Sequence, residues 1–102
     1  MTAERPWFLY VVECADATLY TGISTDVARR VKEHNAGRGA KYTAARRPVT
    51  LRAAWRFPNR QTAMQAEIAF KHRLRKDKIR LIQAGGEFRK GQWVRSLGGA
   101  MG

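Results

Sequence analysis

The sequence predicts an α+β fold, a small antiparallel sheet of about three strands flanked by helices in the order β-β-α-β-α-α. Two observations predict the sheet and one predicts its cover. Residues 7–13 (WFLYVVE) form a continuous apolar run rich in aromatic and β-branched side chains, as a strand buried on both faces requires. A second such run, residues 19–23 (LYTGI), follows after the turn residues Asp16 and Ala17, so the two read as a hairpin. From Asn59 the spacing changes to three and four, with Ala63, Ala66, Phe70 and Leu74 on one stripe, which predicts the longest helix over residues 59–75.

The other elements follow from local chemistry. Ser24, Thr25 and Asp26 are candidate N-caps, and Val27 and Val31 recur four apart, predicting a helix over roughly 26–35 that Asn35, Gly37 and Gly39 terminate. Residues 36–48 (AGRGAKYTAARRP) hold two glycines, four basic residues and no acid, which predicts an exposed, phosphate-facing loop. Residues 49–57 (VTLRAAWRF) alternate in part and predict a third strand ended by Pro58 and Asn59. A short helix over 77–84, carrying Ile79, Leu81 and Ile82, ends at Gly85 and Gly86, and residues 85–102 read as a C-terminal tail that holds Phe88 and Trp93 before decaying into SLGGAMG, an end expected to fray. A chain of 102 residues is expected to fold as one domain, its core over about 7–84.

Composition narrows the partners. Twenty Lys and Arg against eight Asp and Glu give a net charge of +12, a self-repulsion that a polyanion would relieve, and nucleic acid is the natural candidate. An apolar fraction of 44% is too high for a disordered basic tail. Neither a signal peptide nor an apolar run of about 18 residues is evident, so a cytoplasmic location is expected. The single cysteine, Cys14, excludes an internal disulfide, and His34 and His72 lack partners at zinc-ligand spacing.

Glu67 does not fit a purely structural pattern. It lies within the apolar stripe of the long helix and is the only acid between Glu33 and Asp77. A buried ionised carboxylate is costly, so Glu67 must be protonated, paired with a cation such as Lys71 or Arg30, or bound to a metal. Magnesium needs only one or two carboxylates when water and substrate phosphate complete its shell. Arg30 and His34, four apart on the first helix, can reach one site beside the sheet. Tyr10 and Tyr20 share a face of the hairpin if the numbers of facing residues sum to an even constant.

A tyrosine-bearing first strand (Leu9-Tyr10-Val11), a Tyr20-Thr21-Gly22 second strand, Arg30 eight residues after that glycine, and AEIAFKHRLRKDKIRLI around Glu67 resemble the GIY-YIG nuclease superfamily, particularly its small stand-alone bacterial branch. The resemblance covers about residues 7–82. It implies a metal-dependent endonuclease acting on DNA, or on RNA, with Tyr10, Tyr20, Arg30 and His34 catalytic and Glu67 holding Mg2+ or Mn2+. Ile23 stands where some members carry a catalytic lysine, for which Lys41 or Lys71 is a candidate replacement. Nucleic-acid contacts are expected from Arg29, Arg38, Lys41, Arg46, Arg47 and Lys71. The competing expectation is a binding module that grips nucleic acid with the same residues and turns nothing over.

Overall fold

The computed structural model describes residues 5–95. Strands β1 (Trp7–Glu13), β2 (Leu19–Ser24) and β3 (Thr50–Phe57) form an antiparallel sheet in the order β2-β1-β3, so the most apolar strand is central. Tyr10 faces Gly22 and Val12 faces Tyr20, a constant of 32, which puts both tyrosines on one face. On the β3 side the register shifts between Val11 and Val12, and Arg52 is the extra residue of a bulge.

Each face carries its own core. Leu9 and Val11 pack with Ala63, Ala66 and Phe70 of helix α3 (Arg60–Lys71), while Tyr10 and Val12 pack with Val27 and Val31 of helix α1 (Val27–Asn35). Both helices start on side-chain caps: Asp26 accepts from the Arg29 N–H at 3.1 Å and Asn59 from the Thr62 N–H at 2.9 Å. Cys14 is a free, buried thiol in the α1-side core, one residue beyond the end of β1.

Three local expectations are corrected. The long helix stops at Lys71, not Arg75, and α4 (Arg75–Ala84) begins two residues before Asp77. Leu74, which extended the apolar stripe, is instead 63% exposed in the connection. Residues 36–48 are not simply an exposed loop, since they contain a short helix α2 (Lys41–Ala44) whose Thr43 is fully buried, followed by a cis Arg47–Pro48 bond.

The third correction concerns residues 86–95, which form a hairpin of β4 (Gly86–Arg89) and β5 (Gln92–Arg95) where a C-terminal tail outside the core was expected. Its turn is Lys90-Gly91, both at positive φ, the geometry of a two-residue hairpin loop. Trp93 is 2% exposed, meets Trp55, Phe70 and Phe88 ring to ring, and donates its indole N–H to the Ala66 carbonyl at 2.8 Å. The hairpin therefore clamps α3 one residue before Glu67. The remainder of the expected tail, residues 96–102, lies outside the described residues.

Candidate active site

The site grows from the Tyr10–Gly22 pair. Tyr10 is 1% exposed, and its ring crosses β2 where Gly22 has no side chain: a Cβ there would stand 2.6 Å from the phenol oxygen and 2.8 Å from Cζ. The hydroxyl meets His34 Nε2 at 2.7 Å, and His34 Nδ1 meets Thr43 Oγ1 at 2.7 Å. Thr43 donates to the Ala40 carbonyl at 3.1 Å, so its lone pair accepts from His34. Assigned from this network, His34 carries its proton on Nδ1 and turns a lone pair on Nε2 toward the Tyr10 O–H. Gly39 keeps the imidazole in place, because any Cβ there would overlap the ring and the His34 backbone.

Electrostatics reinforce that assignment. Burial pushes the Tyr10 phenol up to about 12, against the lowering influence of Arg30, while the nearby charge of Glu67 adds to the rise. Burial first, and then the Arg30 charge, push the His34 imidazole below the ordinary histidine range. The pair is thus a protonated tyrosine beside a neutral histidine. Tyr20 closes the site, its ring edge-on to His34 at 5.2 Å and 6.0 Å from the Tyr42 ring.

Arg30 is oriented by two acceptors, Glu33 Oε1 at 2.9 Å and the Gly39 carbonyl at 2.7 Å. Glu67 is 19% exposed and pairs with Lys71 Nζ at 3.3 Å, not with Arg30. Lys71 is 51% exposed, so this is an ion pair at the protein surface rather than an interior lock. Among the described residues no three His, Cys, Asp or Glu side chains cluster, which leaves Glu67 as a single carboxylate. Ile23, on the opposite face from Tyr10, packs against the α3-side core.

The expected nucleic-acid contacts divide. Arg46 is engaged within the chain, over the Tyr42 ring at 3.8 Å and 3.1 Å from Asp16, and Arg47, though exposed, donates to the Ala44 carbonyl at 2.9 Å. Arg29, 3.9 Å from Glu33, is exposed, as are Arg38 and Lys41 on the loop side of α1 and α2. Sequence reading missed Thr43, Gly39 and Tyr42. No local pattern marks them, because each acquires its role from a contact that the loop fold creates.

An α+β sheet whose central tyrosine crosses a glycine on its partner strand defines the class, and residues 6–80 match the GIY-YIG catalytic domain. The chain belongs to the GIY-YIG family, a nuclease-type family. Its relatives include a UPF0213 protein of Streptococcus agalactiae, 51% identical over 78 residues, covering 76% of this chain and 89% of that one. A UPF0213 protein of Cupriavidus pinatubonensis is 47% identical over 79 residues, covering 78% and 88%. The solution NMR structure of the UPF0213 protein BH0048 from Bacillus halodurans is similar with a TM-score of 0.53 at 44% identity, covering 78% of this chain and 85% of that one. The family match ends before the β4–β5 hairpin. Among the described residues no helix is long and apolar enough to cross a membrane.

Proposed function

We propose that this protein is a metal-dependent endonuclease that hydrolyses phosphodiester bonds, in DNA before RNA. The observation that carries the reading is the buried Tyr10–His34–Thr43 chain, with Arg30 and Glu67 near enough to shift the phenol. The donor set at Glu67 suits a hard cation that keeps several waters and takes its other oxygens from substrate phosphate, which fits Mg2+ or Mn2+ and not zinc. Such an ion, when bound, polarises the scissile phosphate and stabilises the leaving oxygen.

The chain's own residues supply the rest. Arg30, its guanidinium fixed by Glu33 and Gly39, neutralises a phosphoryl oxygen. Tyr10 at a pKa of about 12 is a poor base by itself near neutrality. His34 resolves this: as water attacks phosphorus, its proton passes to the phenol oxygen while the phenol proton passes to His34 Nε2, and the P–O bond to the leaving group breaks. Tyr20 holds the imidazole edge, and Lys71, beside Glu67, is the better placed of the two lysines to replace the one absent at Ile23. Arg29, Arg38 and Lys41 contact flanking phosphates.

Cleavage of labelled DNA with Mg2+ or Mn2+ tests the reading. It should vanish in Glu67→Gln and in Tyr10→Phe with circular dichroism unchanged. Undiminished cleavage by a clean Glu67→Gln preparation refutes it, and salt-sensitive binding without any cleavage by the unmodified chain leaves the binding module.

A further inference from the structure

Positive charge continues past Lys71 into residues that the catalytic reading does not use. Arg75 donates to the Ala17 carbonyl at 2.9 Å, fixing the first turn of α4 against the β1–β2 turn. Lys78, nearly one turn further, is half-buried, and its ammonium is pushed below the ordinary lysine range by burial and then by the charges of Lys71 and Arg75. Among the described residues no salt bridge reaches Lys78 or Arg75. Three cations this close repel one another in the free protein and gain once a polyanion lies across them.

Arg75 also stands on the rim of a groove of about 470 Å³ between α4 and the end of the sheet where β1 finishes and β2 starts. Leu19, Ile79 and Ile82 make its floor, and Arg52, Arg75 and Gln83 its polar rim. The neighbouring Glu13 carboxylate lies 2.7 Å from Arg52, so its charge is offset. An apolar floor with guanidinium planes accepts the faces of a nucleobase, and an exposed amide can meet its edge. A base stacked inside a duplex cannot reach such a groove without leaving its pair.

We propose that the substrate strand runs from Glu67 along Lys71, Lys78 and Arg75 and seats one unpaired nucleotide in the α4 groove, so that the preferred substrate carries single-stranded nucleotides beside the cut. The position of the cut rests on the nuclease reading. The seating of the nucleotide does not.

Fluorescence anisotropy with the full chain carrying Glu67→Gln, which keeps the DNA intact, compares a blunt duplex with the same duplex bearing a single-stranded overhang. The overhang should bind about tenfold more tightly, the worth of roughly one stacked base. Gln83→Trp, at an exposed position of α4, fills the groove and should remove that preference, whereas Gln83→Ala should retain it. Lys78→Gln should lower the slope of log affinity against log salt by about 0.7 for a single strand. In the parent chain, 2-aminopurine within the overhang should change its fluorescence on binding. Equal binding of blunt and overhang duplexes, a preference that survives Gln83→Trp, or silent 2-aminopurine at every overhang position overturns the proposal. Cleavage by the unmodified chain, scored separately, tells the two apart: cleavage without preference overturns the groove alone, and preference without cleavage overturns the nuclease reading alone.

Discussion

Replacing Gly22 with alanine tests whether the second-strand glycine exists to let the tyrosine through. The added methyl would stand 2.6 Å from the Tyr10 oxygen, 2.8 Å from Cζ and 3.0 Å from Cε1, all well inside van der Waals contact. The ring cannot simply withdraw, because it is 1% exposed and its hydroxyl is tied to His34 at 2.7 Å. Overpacking of this kind costs about 1–3 kcal/mol. If the ring escapes by giving up its hydrogen bond, roughly 1 kcal/mol more is lost. Thermal unfolding should therefore shift downward by roughly 4–24 °C, at about 4–8 °C per kcal/mol for a chain of this size. Cleavage, if Tyr10 and His34 relay the proton, should fall at least about a hundredfold, the lower range for general-base catalysis. Introducing Gly22→Ala into the Tyr10→Phe background should cost less, because the closest contact is gone and the ring is untethered. A Tm unchanged within about 2 °C together with full cleavage would refute the reasoning.

Glu67→Gln should separate function from stability: its ion pair with the 51%-exposed Lys71 contributes about 0–1 kcal/mol, so chemical denaturation should barely move while cleavage is lost. Trp93→Ala should destabilise by about 3–5 kcal/mol in urea unfolding, since it empties a buried indole site and leaves the Ala66 carbonyl without that donor; a change under about 1 kcal/mol would return residues 86–95 to the status of a tail outside the core. His34 has a folded pKa below its unfolded value of about 6.5, so the unfolded chain binds the proton first and stability falls as pH drops below about 6.5 toward the folded pKa, by at most about 1.4 kcal/mol per pH unit. Urea unfolding in that window should show the slope, and His34→Gln should flatten it.

What was legible from sequence is what local pattern specifies. The runs at residues 7–13 and 19–23, the caps Asp26 and Asn59, and the apolar stripe of α3 each carry their structural cause within a few residues. Errors arose where a distant contact overrode the pattern. Leu74 continues the four-residue spacing from Phe70, yet the chain leaves the helix at Lys71, and Arg73 is held instead by the Trp93 carbonyl. The β4–β5 turn is weakly marked because Lys90-Gly91 lacks the Asn or Asp that usually announces a two-residue hairpin, although a glycine between two aromatic-bearing quartets is a signal. Glu67 could be singled out as a misplaced carboxylate, but the partner it takes could not be read, because Lys71 and a metal satisfy it equally well on a helical wheel.

The proposed site draws on helices that pack on opposite faces of the sheet and never share a layer. Tyr10 belongs to the core under α1, whereas Glu67 belongs to the helix packed on Leu9 and Val11. Tyr10 nevertheless feels the Glu67 charge, and the strand it lies against, β2, is an edge of the sheet. The phenol lies over it at Gly22, whose missing side chain leaves it room, and reaches His34 on the α1 side. The carboxylate is set from the far side, by a helix that the Trp93 indole grips one residue away. The proposed catalytic geometry therefore depends on both cores at once. Loosening the hairpin by Trp93→Ala should therefore depress cleavage more than it depresses the Tyr10–His34 contact, which NMR of the His34 ring protons can follow independently. Parallel loss of both would mean that the hairpin supports the whole fold and not Glu67 in particular.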